Sequence, residues 1–201
     1  MSTKAFILGN NIDTDQLAPG RYMAAGIEKL AIHCLEATYP GFSHLSSPGD
    51  VIIAGDNFGA GSSREQAVEA LKFLKISAVI AISFAGIFYR NAINLGLPAI
   101  VCKDLSGIQD GDFVKLRITK NKLDVPRRDL SFDLEPIPPN LAEILNAERC
   151  KSVFHSFLLD SKGAKACKSC RSRQELSNEY LVFTCKFWFR YSRELASQSL
   201  P

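Results

Sequence analysis

Short, uninterrupted apolar runs alternate along the first half of the chain with stretches whose apolar residues recur at helical spacing. VIIA (51–54), AVIAI (78–82) and PAIV (98–101) are too short for helices and contain no polar residue, which predicts strands buried on both faces. Between the first two, Ala67, Leu71 and Leu74 recur at helical intervals within Arg64 to Lys75. Residues 84–95 form a second helix, closed by Gly96 with Pro98 beyond it. This strand–helix–strand–helix–strand order, with short links, predicts βαβ units, parallel pairing and an α/β fold.

The flanking segments are less regular. AFIL (5–8) is a brief apolar run cut off by GNN and reads as an edge strand; NIDTDQLAPGRYM after it reads as a loop. In IEKLAIHCLEA (27–37) a helix places Ile27, Leu30, Ala31, Cys34 and Leu35 on one face. His33 falls on that helix's flank and His44 in a turn-rich loop, neither with a catalytic role. FVKLRI (113–118) and KLDV (122–125), joined by TKNK, read as a hairpin closing the sheet. PIPPNLAEILNAERC then leads through prolines into one short helix ending near residue 149. The patterns stop there. Residues 1–150 form one domain, and 151–201 are an extension without clear period that holds 8 of the 19 aromatic residues and the only tryptophan.

Charge sharpens that division. The whole chain carries a formal +3, too mild to argue for nucleic acid. Residues 1–150 hold 15 Lys and Arg against 17 Asp and Glu, whereas 151–201 hold 9 against 4, so an acidic body carries a basic tail. MSTKAFILGN has too short an apolar run for a signal peptide, and no stretch approaches the roughly 20 apolar residues that span a bilayer. The six cysteines form no regular framework and read as reduced thiols, which makes the cytoplasm the expected compartment. Cys167-Lys-Ser-Cys170 has no second CxxC to complete a four-ligand metal site.

The densest chemistry lies in GDNFGAGSSRE (55–65), between the strand VIIA and a helix. Ligands of open α/β sheets bind at the carboxyl ends of strands. The first turn of a helix offers unpaired N–H groups and partial positive charge. Gly59 and Gly61 allow close backbone approach, Arg64 supplies a planar fork for a carboxylate or phosphate, and Ser62 and Ser63 put two hydroxyls at the mouth. These features describe an anion site. The same Ser62-Ser63-Arg64-Glu65 also spells an S-x-x-E capping box, so the residues alone allow a plain helix start as well. Neither G-x-x-x-x-G-K-[ST] nor G-x-G-x-x-G is present, which disfavours a P-loop or dinucleotide site.

Taken in order, NIDTDQLAPGRYM, GDNFGAGSSREQA and AVIAISFAGIFYRNAINLGLP resemble the small subunits of 3-isopropylmalate dehydratase and, more broadly, the swivel domain of the aconitase superfamily, over roughly residues 4–149. The resemblance implies a swivelling β/β/α three-layer domain. It implies a large-subunit partner, in a heterodimer or heterotetramer, that holds a [4Fe-4S] cluster, and no cofactor on this chain. It casts Ser62 as the base that moves a proton on the carbon beside a carboxylate, Arg64 as the carboxylate clamp, and Ser63 and Gly61 as neighbouring donors. Asp15 matches an acidic residue near the active-site face, with an Asx-type turn as its plain alternative. Arg21 matches a loop that supplies a substrate-contacting arginine.

This sequence departs from the pattern at Ala60, where the family often has Cys, and at Gln66, where it often has His. The segment RYMAAG replaces a more polar substrate-selecting stretch. The implied activity is a hydro-lyase that isomerises 2-isopropylmalate and 3-isopropylmalate in leucine biosynthesis, inactive without its large subunit. The alternatives are a related hydro-lyase subunit (homoaconitase, or a dehydratase of methyl-substituted malates such as dimethylmalate) and a non-catalytic swivel-domain binding module.

Overall fold

The computed structural model describes residues 3–147. Seven strands run in the order β4-β3-β2-β1-β5-β6-β7. They are β1 (Thr3–Ile7), β2 (Val51–Ala54), β3 (Ala78–Ala81), β4 (Ala99–Val101), β5 (Phe113–Arg117), β6 (Lys122–Val125) and β7 (Leu130–Asp133). The first four are parallel, in register through Ala5 with Val51, Ile52 with Val79 and Val79 with Ala99. The last three form an antiparallel meander that joins β1 through Thr3 with Val114.

Side chains alternate across a strand, and each parallel strand uses that alternation to feed two separate cores. Phe6, Ile52, Ala54, Val79, Ala81 and Ala99 pack on one face against helices, with Leu30, Val68, Leu71 and Phe88 among their partners. Ala5, Val51, Ile53, Ala78, Ile80 and Ile100 pack on the other face against Val114, Leu123, Val125 and Phe132 of the meander. Helices, parallel sheet and meander are therefore the three layers of a β/β/α domain, and both faces of the parallel strands are covered, as their unbroken apolar runs require.

Five short helices accompany the sheet: α1 (Thr14–Leu17), α2 (Ile27–Ile32), α3 (Phe42–Leu45), α4 (Glu65–Phe73) and α5 (Gly86–Asn94). Helical residues at 139–147 follow β7. Several expectations need correction. β1 is not an edge strand; it lies between β2 and β5, and its polar surroundings in sequence come from the turns at its ends. The loop after it contains α1, started by a capping box in which Asp13 accepts from the Gln16 N–H at 2.8 Å and Gln16 Oε1 accepts from the Asp13 N–H at 2.9 Å. The helix from 27 ends at Ile32 in turns, with Leu35 at φ +59°, although Leu30, Ala31, Cys34 and Leu35 are all buried as the face predicted. His44 lies in α3, not in a loop. The hairpin gains a third strand, β7, whose four residues after the Pro126–Arg128 turn are too few to signal themselves by alternation. Both described cysteines, Cys34 and Cys102, are free and buried; the extension 151–201, with its CxxC, lies outside the described residues. No helix among the described residues is long and apolar enough to cross a membrane.

Candidate active site

β1, β2 and β3 end side by side, and the segments that leave their carboxyl ends are knitted into one surface. The segment after β1 runs beside the glycine turn: Ile12 O accepts from the Gly59 N–H at 2.7 Å and from the Ala60 N–H at 3.2 Å, and the Thr14 N–H donates to Ala60 O at 2.8 Å. The segment after β3 holds the other side, where the Phe58 N–H donates to Ser83 O at 3.0 Å and the Ala85 N–H to Phe58 O at 2.9 Å. Asparagines complete the frame. Asn10 Oδ1 accepts from the Asp56 N–H at 2.9 Å, Asn57 Nδ2 donates to Asn11 Oδ1 at 3.0 Å, and Ser83 Oγ accepts from the Asn57 N–H at 2.8 Å. Asn11 and Asn57 both take positive φ, a conformation that asparagine tolerates better than most residues.

Within this frame Gly61, Ser62 and Ser63 are exposed. The capping box expected of Ser62 and Glu65 does not form. Arg64 is the N-cap of α4, without a side-chain capping bond, and its N–H donates to Ser62 O at 2.7 Å. Ser62 Oγ instead lies 3.3 Å from Thr14 Oγ1. The backbone N–H groups of Ser62, Ser63, Glu65 and Gln66 meet no acceptor among the described residues. Four free donors at a helix start thus belong to the same turn as an exposed hydroxyl, and a helix start favours negative charge.

Arg64 is partly buried and folds back over the preceding segment. Its Nη1 donates to Asp15 Oδ1 and, at 3.0 Å, to Ala18 O; its Nε and other Nη make no bond among the described residues. Asp15 is thus the partner of Arg64, and it is Asp13, not Asp15, whose side chain bonds the backbone at the start of α1. Arg21 points elsewhere. It lies in the 3-10 turn Gly20–Ala25, over the Tyr22 ring at 4.8 Å and 3.6 Å from Glu36 Oε2. Tyr22 in turn stacks on His33 at 3.7 Å between ring centres, and His33 Nδ1 is 2.8 Å from Glu36 Oε2.

Sequence reasoning singled out Ser62, Ser63, Gly61, Arg64 and Asp15, which the fold brings to one place, but missed Thr14, Asn10, Asn11, Asn57 and Ser83. The Asn-Asn pair before NIDTD was the available signal for a turn with positive φ. Arg90 is exposed on α5 and Asn91 half-buried, as expected of a solvated arginine and a packing asparagine.

Residues 45–104 match the aconitase C-terminal domain family. The chain is 45% identical over 141 residues to the 3-isopropylmalate dehydratase small subunit of Halothermothrix orenii, covering 69% of this chain and 86% of that protein. It is 43% identical over 142 residues to 3-isopropylmalate dehydratase small subunit 1 of Thermotoga maritima, covering 70% and 86%. A crystal structure of 3-isopropylmalate dehydratase from Methanocaldococcus jannaschii superimposes with a TM-score of 0.70 at 39% identity, covering 77% of this chain and 96% of that one.

Proposed function

The chain belongs to the family of 3-isopropylmalate dehydratase small subunits, and from that premise we propose that it forms one half of a hydro-lyase interconverting 2-isopropylmalate and 3-isopropylmalate in leucine biosynthesis. In this reading Ser62, as its alkoxide, takes the proton from the carbon beside a substrate carboxylate. The electron pair of that C–H bond becomes the second bond of an alkene as hydroxide leaves the neighbouring carbon. The reverse steps, with the positions exchanged, add water back. A serine oxygen is a poor base unless its anion is stabilised. The unpaired N–H groups at the start of α4 supply that stabilisation, and Ser63 and Gly61 line the same mouth.

Arg64 contributes the face of its guanidinium not spent on Asp15 to a substrate carboxylate, and Asp15 acts by holding it there. Arg21 reaches the substrate only by leaving Glu36. The large subunit is the expected partner, and its [4Fe-4S] cluster would supply Lewis-acid activation of the departing hydroxyl. The described part of this chain does not fit a cluster: no three His, Cys, Asp or Glu residues gather there, and Cys34 and Cys102 are buried in the separate cores on opposite faces of the sheet.

The observation that carries this reading is the convergence of the three motif-bearing segments on the glycine turn that bears Ser62. Its test is Ser62→Ala, purified with the large subunit. Assembly and melting temperature should stay as in the parent complex while turnover is lost; retained turnover would remove Ser62 from the mechanism.

A further inference from the structure

Three polar residues are fully buried among the described residues: Thr14, Asp50 and Asp112. The two aspartates serve the scaffold, Asp50 accepting the Lys4 and Ser47 N–H groups and Asp112 the Gln109 N–H and the Arg128 guanidinium. Thr14 is different. It is 2% exposed, and the only hydrogen bond its hydroxyl makes among the described residues is with Ser62 Oγ at 3.3 Å. Where a hydroxyl is buried, a valine of the same shape packs as well without a polar group to satisfy, so packing does not account for threonine here.

The surroundings hold the two oxygens together. The Thr14 N–H is bonded to Ala60 O, and the Ala18 N–H returns to Thr14 O at 2.9 Å, which fixes the backbone of Thr14 on both sides. A Cβ at Gly61 would fall 3.2 Å from Thr14 Oγ1, so the turn passes close over this hydroxyl. Arg64 Nη1, the other side-chain donor nearby, is spent on Asp15 and Ala18 O.

We infer that Thr14 is a positioning residue for Ser62: its hydroxyl donates to Ser62 Oγ and holds that oxygen, as alkoxide, at the mouth of the turn. This rests on the reading of Ser62 as the base. Against the resting, neutral serine the bond joins two hydroxyls; once Ser62 is ionised it is charge-assisted, so it favours the alkoxide and raises the share of complexes poised to take the substrate proton. A donor to an ionised oxygen contributes more than one to a neutral partner.

The test compares Thr14→Val and Thr14→Ser in the complete complex with the large subunit. Thr14→Val should lower kcat by about 10- to 100-fold, the range expected for a hydrogen bond to a charged group, with KM within about twofold. The acidic limb of its kcat–pH profile should move up, because the alkoxide is harder to form, and the primary deuterium isotope effect with substrate labelled at the proton-losing carbon should grow. Thr14→Ser should restore most of kcat and the parental pH profile. A Thr14→Val complex with the parental pH profile and isotope effect overturns the inference, as does a Thr14→Ser complex no better than Thr14→Val. Ser62→Ala separates the two readings. If Ser62→Ala is active, the base assignment fails and this inference with it. If it is inactive and Thr14→Val behaves as the parent, only the role of Thr14 falls.

Discussion

Arg64 and Asp15 lie 49 residues apart in the chain and meet through a guanidinium–carboxylate bond that clasps α1 to the turn before α4. The aspartate is largely exposed and the arginine mostly covered, so the pair is weighted toward placing the arginine rather than toward holding the fold together. Exposed ion pairs contribute about 0–1 kcal/mol to stability. Asp15→Asn should therefore change stability by less than about 1 kcal/mol in urea denaturation. In the complex it should lower kcat/KM by about 10- to 100-fold, since a misplaced substrate-gripping group costs on that order. Equal activity of the variant and the parent would show that Asp15 does not position Arg64 for catalysis.

Gly59 faces a tighter constraint. Its φ is +80°, and a Cβ there would sit 2.2 Å from Cγ of Phe88, a buried ring on α5 that meets Phe58 edge-on and stacks on Phe84. Nothing flexible can give way. Gly59→Ala should cost roughly 2–5 kcal/mol, the sum of overpacking and a left-handed non-glycine residue, read as a lower urea midpoint. A midpoint equal to the parent's would mean that the turn relaxes away from Phe88 at no cost.

What the sequence made legible follows from how local each signal is. VIIA and AVIAI announce themselves because strands covered on both faces admit no polar residue, and Ala67, Leu71 and Leu74 because α4 and the residue after it pack one face on the core. AFIL reads as an edge because the reason for the centrality of β1, Ala5 pairing with Val51 on one side and Thr3 with Val114 on the other, lies 46 and 111 residues away. The S-x-x-E box misled for a similar reason: the Ser62 hydroxyl had a non-local competitor in Thr14, and Arg64 became the N-cap. Ser62, Arg64 and Asp15 could be named from motifs, but that Asp15 serves Arg64, while Arg21 is engaged by Glu36, depends on how the loops pack.

Asp112, buried at the end of the loop before β5, makes acid stability a test of its ion pair. The Arg128 guanidinium, with the Gln109 N–H adding to it, holds the Asp112 carboxyl below the usual carboxylate range. The fold thus favours the charged form, so the unfolded chain binds a proton first, near pH 4. The contribution is present above that pH and is lost as pH falls toward the lower, folded-state value. Parent and Asp112→Asn should differ by a constant amount in urea midpoint from pH 7 to about pH 5, and the gap should close below about pH 4. Other carboxylates that the fold holds in the charged form, such as Asp124 beside Ser131 and Arg117, are common to both proteins and cancel. A gap unchanged down to pH 2 would show that Asp112 titrates alike in both states.

Cys34 and Cys102 sit in the helical core and in the sheet–meander core respectively. Burial pushes the Cys34 thiol far up from its ordinary value. Burial also raises Cys102, with the carboxylates of Asp104, Asp133 and Glu135 adding to it. Thiolate is the nucleophile toward iodoacetamide, and it must be both formed and reachable. In the native protein at pH 8, peptides bearing Cys34 and Cys102 should therefore carry label at least about 100-fold more slowly than in urea, because reaction waits on opening of the core. The two need not match. Cys34 is enclosed by Leu30, Leu35 and the helical layer, whereas Cys102 leaves β4 beside Asp104, whose carbonyl its thiol meets at 3.1 Å. Cys102 should be the faster of the pair, since the end of a strand opens more readily than the interior of the helical layer that encloses Cys34. Labelling of Cys34 at the unfolded rate would contradict its enclosure in the helical layer, where α2 packs against α4.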